Sequence, residues 1–124
     1  MIQKIPICAT RIRQIPKQFS WVDQRLVRSH YIEQCTHCAA TLYLFLVTVA
    51  DAMGLSYYSD ASLESLLSME SRLLAEAREE LVRIGLIAYA KPLYQVLSLE
   101  LPASRSVTPL SVGDIFKQLA KGGL

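Results

Sequence analysis

The residues best equipped for chemistry lie between His30 and Cys38. The run His30-Tyr-Ile-Glu-Gln-Cys35-Thr-His37-Cys38 places two thiols in a CxxC spacing with an imidazole between them. A thiolate pair and a histidine could supply three ligands of a tetrahedral zinc. Structural zinc sites usually close with a second ligand pair, and none follows downstream. A thioredoxin-type CxxC follows a strand in a βαβ unit, and that context is missing too. No metal site is therefore expected. Cys38 should face the core on the first turn of a helix, with Cys35 in the loop before it. The third cysteine, Cys8, leaves an odd count, which argues against a disulfide framework. His30 and His37 have no identifiable acid–base partner. No glycine-rich phosphate loop and no Ser/His/Asp set in motif context occurs. The chain reads as a non-enzyme without a cofactor.

The second set of chemically able residues is cationic. Net charge is only +2, but it is unevenly distributed. Through residue 34, Lys4, Arg11, Arg13, Lys17, Arg25 and Arg28 face only Asp23 and Glu33. Residues 35–99 are acidic, with Asp51, Asp60, Glu64, Glu70, Glu76, Glu79 and Glu80 against Arg72, Arg78, Arg83 and Lys91. Arg11, Arg13 and Lys17 are spaced so that an extended chain could track phosphates or enter a minor groove.

These groups need a scaffold, and the chain has the means to build one. Its 124 residues suffice for one domain with a real core, and 52% are hydrophobic and 19% charged, which excludes a disordered chain. The longest apolar run, Leu42 to Ala50, is too short to span a bilayer and is closed by Asp51. The first residues lack the apolar stretch of a signal peptide, so a cytoplasmic protein is expected.

Residues 1–20 read as an extended basic arm, with Pro6 and Pro16 biasing their neighbours away from helix. Ser20 should cap a helix beginning at Trp21, with Asp23 in its first turn and Val22, Leu26 and Val27 facing inward. Trp21 is expected to be a packing anchor. Thr36 should cap a helix running to about Ala52, apolar on nearly every side and therefore central. Leu55 to Tyr58 suits a strand that pairs with a later hairpin. Ser59 or Asp60 should cap the next helix, with Ala61, Leu63, Leu66 and Leu67 as its apolar face. After a turn at Ser68-Met69-Glu70, a helix over about 71–84 has Leu74, Ala77, Leu81 and Ile84 at helical spacing. Its other face carries Arg72, Glu76, Glu79, Glu80 and Arg83, with Glu79 and Arg83 placed to pair. Gly85 supplies the left-handed stop. Two strands joined by Lys91-Pro92 form a short hairpin with a basic tip. Residues 102–124 read as a linker and an amphipathic C-terminal helix, opened by Ser111-Val-Gly-Asp114 and striped by Val112, Ile115, Phe116 and Leu119. That stripe suits dimerisation or docking of a protein partner.

The passage Leu74-Ala-Glu-Ala-Arg-Glu-Glu-Leu-Val-Arg-Ile-Gly-Leu-Ile-Ala-Tyr89, within the helix, strand, helix, turn, helix, hairpin order of residues 36–99, resembles the winged helix-turn-helix superfamily. It is similar to the second helix, glycine stop and wing of bacterial regulators and of plasmid or phage replication initiators. The expected fold is thus mostly α with a small β-hairpin, the winged-helix domain covering 21–101. The resemblance implies that the first turns of the second helix, at Ser71, Arg72, Ala75 and Glu76, reach a DNA groove. Arg72 would read guanine or hold phosphate, Ser71 would touch phosphate, and Lys91 would serve at the wing. It implies a small DNA-binding protein, acting as a dimer in transcription, replication or recombination, with a mobile-element accessory as one setting. Glu70, Glu76 and Glu79 depart from the usual basic or neutral face. They leave open a protein-interaction module that keeps the scaffold without binding DNA.

Overall fold

The computed structural model describes residues 3–99. The expected linker and C-terminal helix, with Val112, Ile115, Phe116 and Leu119, lie outside the described residues. Within them, four α-helices and a three-stranded antiparallel sheet run in the order α1 (Arg25–Arg28), α2 (His37–Val49), β1 (Leu55–Tyr57), α3 (Asp60–Leu67), α4 (Ser71–Ile84), β2 (Ile87–Ala90) and β3 (Leu93–Val96). No helix among them is long and apolar enough to cross a membrane.

Each of the three longer helices stops or starts on a local signal. The Thr36 hydroxyl accepts from the Ala39 amide at 3.2 Å and opens α2. Ser59 does the same for α3 through the Ser62 amide at 3.1 Å. Gly85, at φ 93°, ends α4, and its amide donates to the carbonyls of Leu81 and Val82. Helix α2 ends at Val49 rather than at about Ala52. Ala50 is already extended, and the Asp51 carboxylate accepts from the amides of Met53 and Leu55, bending the chain into β1.

The core lies where α2 packs on α4 and both meet the sheet. Leu42, Leu46, Leu63, Leu74, Leu81, Leu86, Ile87 and Tyr94 are its wholly buried side chains. Strand β3 is central, in the order β1-β3-β2. Ile87 sits opposite Val96 and Tyr89 opposite Tyr94 on one side, while Leu55 faces Gln95 on the other. The Lys91-Pro92 hairpin is as short as its sequence predicts.

Three further expectations are corrected. The first helix is a single turn that starts at Arg25, not Trp21. Ser20 does not cap it, because its hydroxyl donates to the Thr48 carbonyl at 2.7 Å. Asp23 accepts from the Arg25 amide at 2.8 Å, and this local turn delays the helix by holding the chain in its own geometry. Only Leu26 of that segment is buried, while Trp21, Val22 and Val27 are exposed. Second, Ala61 and Leu66 stand outside the core, because the short α3 packs through Leu63 and Leu67. Third, Arg83 lies 3.9 Å from Glu80 instead of pairing with Glu79. Glu80 is drawn inward because its carboxylate accepts from both the amide (2.7 Å) and the hydroxyl (3.1 Å) of Thr36.

Candidate nucleic-acid interface

Helix α4 divides cleanly by face. Leu74, Ala77 and Leu81 are buried, while Ser71, Arg72, Ala75, Glu76 and Glu79 are exposed. The turn before it explains how the outward face is held. Ser68 takes the left-handed conformation (φ 50°), and Met69 drops into the core. Glu70 occupies the cap position without a side-chain hydrogen bond, so the first amides of α4 have no side-chain cap.

Electrostatics on this face are mixed. Arg72 lies 3.5 Å from Glu76, and both side chains are mostly exposed. Glu70 and Glu79 add further negative charge nearby in sequence. Lys91 is exposed at the hairpin tip, and Arg11, Arg13 and Lys17 are exposed along the arm, where Ala9–Arg11 forms one 3-10 turn. Among the described residues no hydrogen bond or ion pair joins Arg72, Lys91 and the arm cations to one another. Among the described residues, a hydrogen bond from the Ser20 hydroxyl to the Thr48 carbonyl ties residues 3–22 to the body.

What locks the hairpin beside α4 is a group the sequence reading passed over. Arg78 donates to the Asp60 carboxylate (2.8 Å) at the start of α3 and to the Tyr94 hydroxyl (2.8 Å) on β3. Its guanidinium also lies 4.4 Å from the centre of the Tyr89 ring on β2. Burial works against its charge, but the hydrogen bonds it donates to Asp60 and Tyr94 outweigh that and hold its pKa above the usual arginine value. Burial likewise raises the pKa of the Tyr94 hydroxyl despite the opposing arginine. Lys91 therefore sits two residues beyond an aromatic ring clamped to the middle of α4. The helical spacing Leu74, Arg78, Leu81 was the available signal, since it sets Arg78 on the edge of the buried stripe.

Comparison with protein-family models, curated proteins and solved structures finds no match for this chain.

Of the three thiols, Cys8 is exposed on the arm and the other two are half-buried. Cys35 ends the 3-10 turn at Ile32–Gln34 and Cys38 lies in the first turn of α2, both half-buried against the core, as their sequence positions predict. Burial, reinforced by the nearby Glu80 carboxylate, pushes the Cys35 thiol up, away from the thiolate that metals and redox chemistry use. No group of three or more metal-ligating side chains occurs among the described residues. Asp23 is held below the ordinary aspartate range by its hydrogen bonds from the Arg25 side chain and amide, so it stays ionised as a partner for that arginine.

Proposed function

We propose that this chain is a small double-stranded-DNA-binding protein of winged helix-turn-helix type, a regulator or a replication or recombination accessory, and not an enzyme. The supporting observation is the placement of α4. Its inner face is fixed in the core, and the outer face of its first two turns, with Ser71, Arg72, Ala75 and Glu76, is exposed, while Arg78 locks the hairpin to the helix. A helix so held can enter a major groove while its uncapped first amides meet a phosphate. Arg72 would contact bases or backbone. Lys91 would contact backbone at the hairpin, and Arg11, Arg13 and Lys17 would follow flanking phosphates. Two copies on a palindromic site is the expected arrangement, with the stripe at Val112, Ile115, Phe116 and Leu119 as the proposed contact.

Binding of mixed-sequence duplex, measured across a salt series, tests this reading. Affinity should fall steeply as salt rises. Arg72→Ala and the triple alanine variant at Arg11, Arg13 and Lys17 should each weaken it. No duplex binding by the parent at low salt would refute the proposal. The acidic residues Glu70, Glu76 and Glu79 favour the second reading, a protein-docking module on the same scaffold. In that case α4 would bind a basic partner surface, and duplex affinity would be nil.

A further inference from the structure

Phe19 and Trp21 are 63% and 74% exposed. Burying a large apolar side chain is worth roughly 1.5–3 kcal/mol, and these two rings stand with Ile15 and Val22 in one stretch of exposed apolar residues, the kind of patch that marks an interaction site. They flank a point at which the arm is attached to the body. The Ser20 hydroxyl between them is hydrogen-bonded to the Thr48 carbonyl near the end of α2, which fixes the base from which both rings project. A recess lies on either side of Phe19 and Ser20. The smaller, of about 240 Å³, is lined by Arg13, Ile15 and Pro16. The larger, of about 620 Å³, is lined by Trp21, Arg25, Tyr43 and Val47, by the chain from Gln95 to Leu99, and by two carboxylates, Asp23 and Asp51. Arg25 is held there by the Asp23 carboxylate at 2.7 Å. Arg13 lines the smaller recess together with Phe19, and Lys17 lies two residues before Phe19 in the chain, in a stretch where positive charge dominates.

We propose that Phe19 and Trp21 are a stacking platform for unpaired bases of single-stranded DNA, with Arg13 and Lys17 holding its phosphates. This rests on the nucleic-acid reading above and adds a second form of substrate, a strand opened beside the duplex that α4 engages. The choice of single strand follows from the rings. A flat exposed aromatic stacks on a base only when that base has left its own stack, whereas a duplex hides base faces and shows only edges. Charge complementarity selects a polyanion over a neutral peptide. A platform with a hydrogen-bonded base avoids most of the ordering cost that a free arm would incur on binding.

Trp21 is the single tryptophan, so its fluorescence reports the platform directly. The full chain would be titrated at low salt with a thymidine oligonucleotide, with an abasic deoxyribose-phosphate chain of equal length, and with blunt duplex. The thymidine strand should quench Trp21, and the abasic chain should not. Phe19→Ala should weaken single-strand binding about tenfold, in line with the loss of one base–aromatic stack. Trp21→Phe should keep binding by anisotropy. Since both side chains are exposed, both variants should keep the parent's circular dichroism. Equal quenching by the abasic chain, or none by the thymidine strand, overturns the proposal. So does a concentration-dependent fluorescence shift without DNA that disappears in Phe19→Ala together with a dimer seen by light scattering, since that assigns the rings to a second copy. Duplex binding without strand-dependent quenching would defeat the platform and leave the α4 reading intact. Quenching by single strands without duplex binding would do the reverse.

Discussion

A single guanidinium joins four elements. Arg78 of α4 reaches Asp60 on α3 and Tyr94 on β3, and it covers the Tyr89 ring on β2. Tyr94 is wholly buried, and the arginine supplies the hydrogen bond its hydroxyl accepts. Truncating Arg78 removes the donor to a hydroxyl on a buried residue, which is costlier than losing an exposed pair. Arg78→Ala should therefore lower unfolding free energy by about 2–3 kcal/mol, read from urea denaturation. Arg78→Lys should recover only part, because an ammonium cannot reproduce the planar fork. A loss below about 0.5 kcal/mol, the usual range for a surface substitution, would show that the knot is ornamental. None of its partners could be read from the sequence with certainty. Asp60 lies 18 residues from Arg78 and Tyr94 lies 16, and only the folded sheet brings them together. Glu80 hid for the same reason. Its hold on Thr36 spans 44 residues, whereas the Thr36 and Ser59 caps are local and legible.

At the scale of elements, apolar spacing and single stop residues were legible, while hydrogen bonds that draw a side chain away from its expected partner were not. The apolar spacing of Leu74, Ala77 and Leu81 located α4, and Gly85 its end, because both signals act within a turn or two. The helix expected from Trp21 failed because the Ser20 hydroxyl went to Thr48 on α2 and Asp23 to the Arg25 amide. Among the described residues, two left-handed glycines divide into a local role and a tertiary one. Gly85 (φ +93°) has nothing within 4 Å of where a Cβ would stand, so its role is conformational. Gly54 (φ +85°) would put a Cβ 2.6 Å from the Val96 carbonyl oxygen, and its own carbonyl accepts from the Val96 amide at 2.8 Å. Its role is therefore also tertiary, admitting the end of β3 against the turn after α2. Gly85→Ala should cost about 1–2 kcal/mol for the left-handed backbone alone. Gly54→Ala should cost on the order of 3 kcal/mol, because the clash with backbone adds to the same strain. Thermal or urea denaturation of the two variants side by side checks this. Equal losses would mean that Gly54 serves its turn and not the packing of β3.

The whole molecule segregates its charge, a cationic arm on an acidic body, and that division sets how it could meet DNA. Counterion release makes the salt dependence a count of phosphate contacts, with a slope of about −0.9 per neutralised phosphate on duplex DNA. If Arg11, Arg13 and Lys17 each hold one, replacing all three should make the slope shallower by about 2.7. Arg72 should contribute less than one full contact, because Glu76 stands 3.5 Å away and offsets its charge. The converse substitution separates the two readings of α4. Glu76→Gln removes the competing carboxylate from an exposed pair, whose own contribution to stability is only about 0.3–0.5 kcal/mol, so the fold should be untouched. If α4 faces DNA, Glu76→Gln should tighten duplex binding at low salt and steepen the slope by up to about 0.9, with the gain fading as salt rises. The same substitution made in an Arg72→Ala background should then give a smaller gain, since only the general repulsion between Glu76 and phosphate is left to relieve. If the acidic face instead docks a basic protein, Glu76→Gln leaves duplex affinity where it was, and the double substitution equals Arg72→Ala alone. Anisotropy of a labelled duplex across the four proteins distinguishes these outcomes in one salt series.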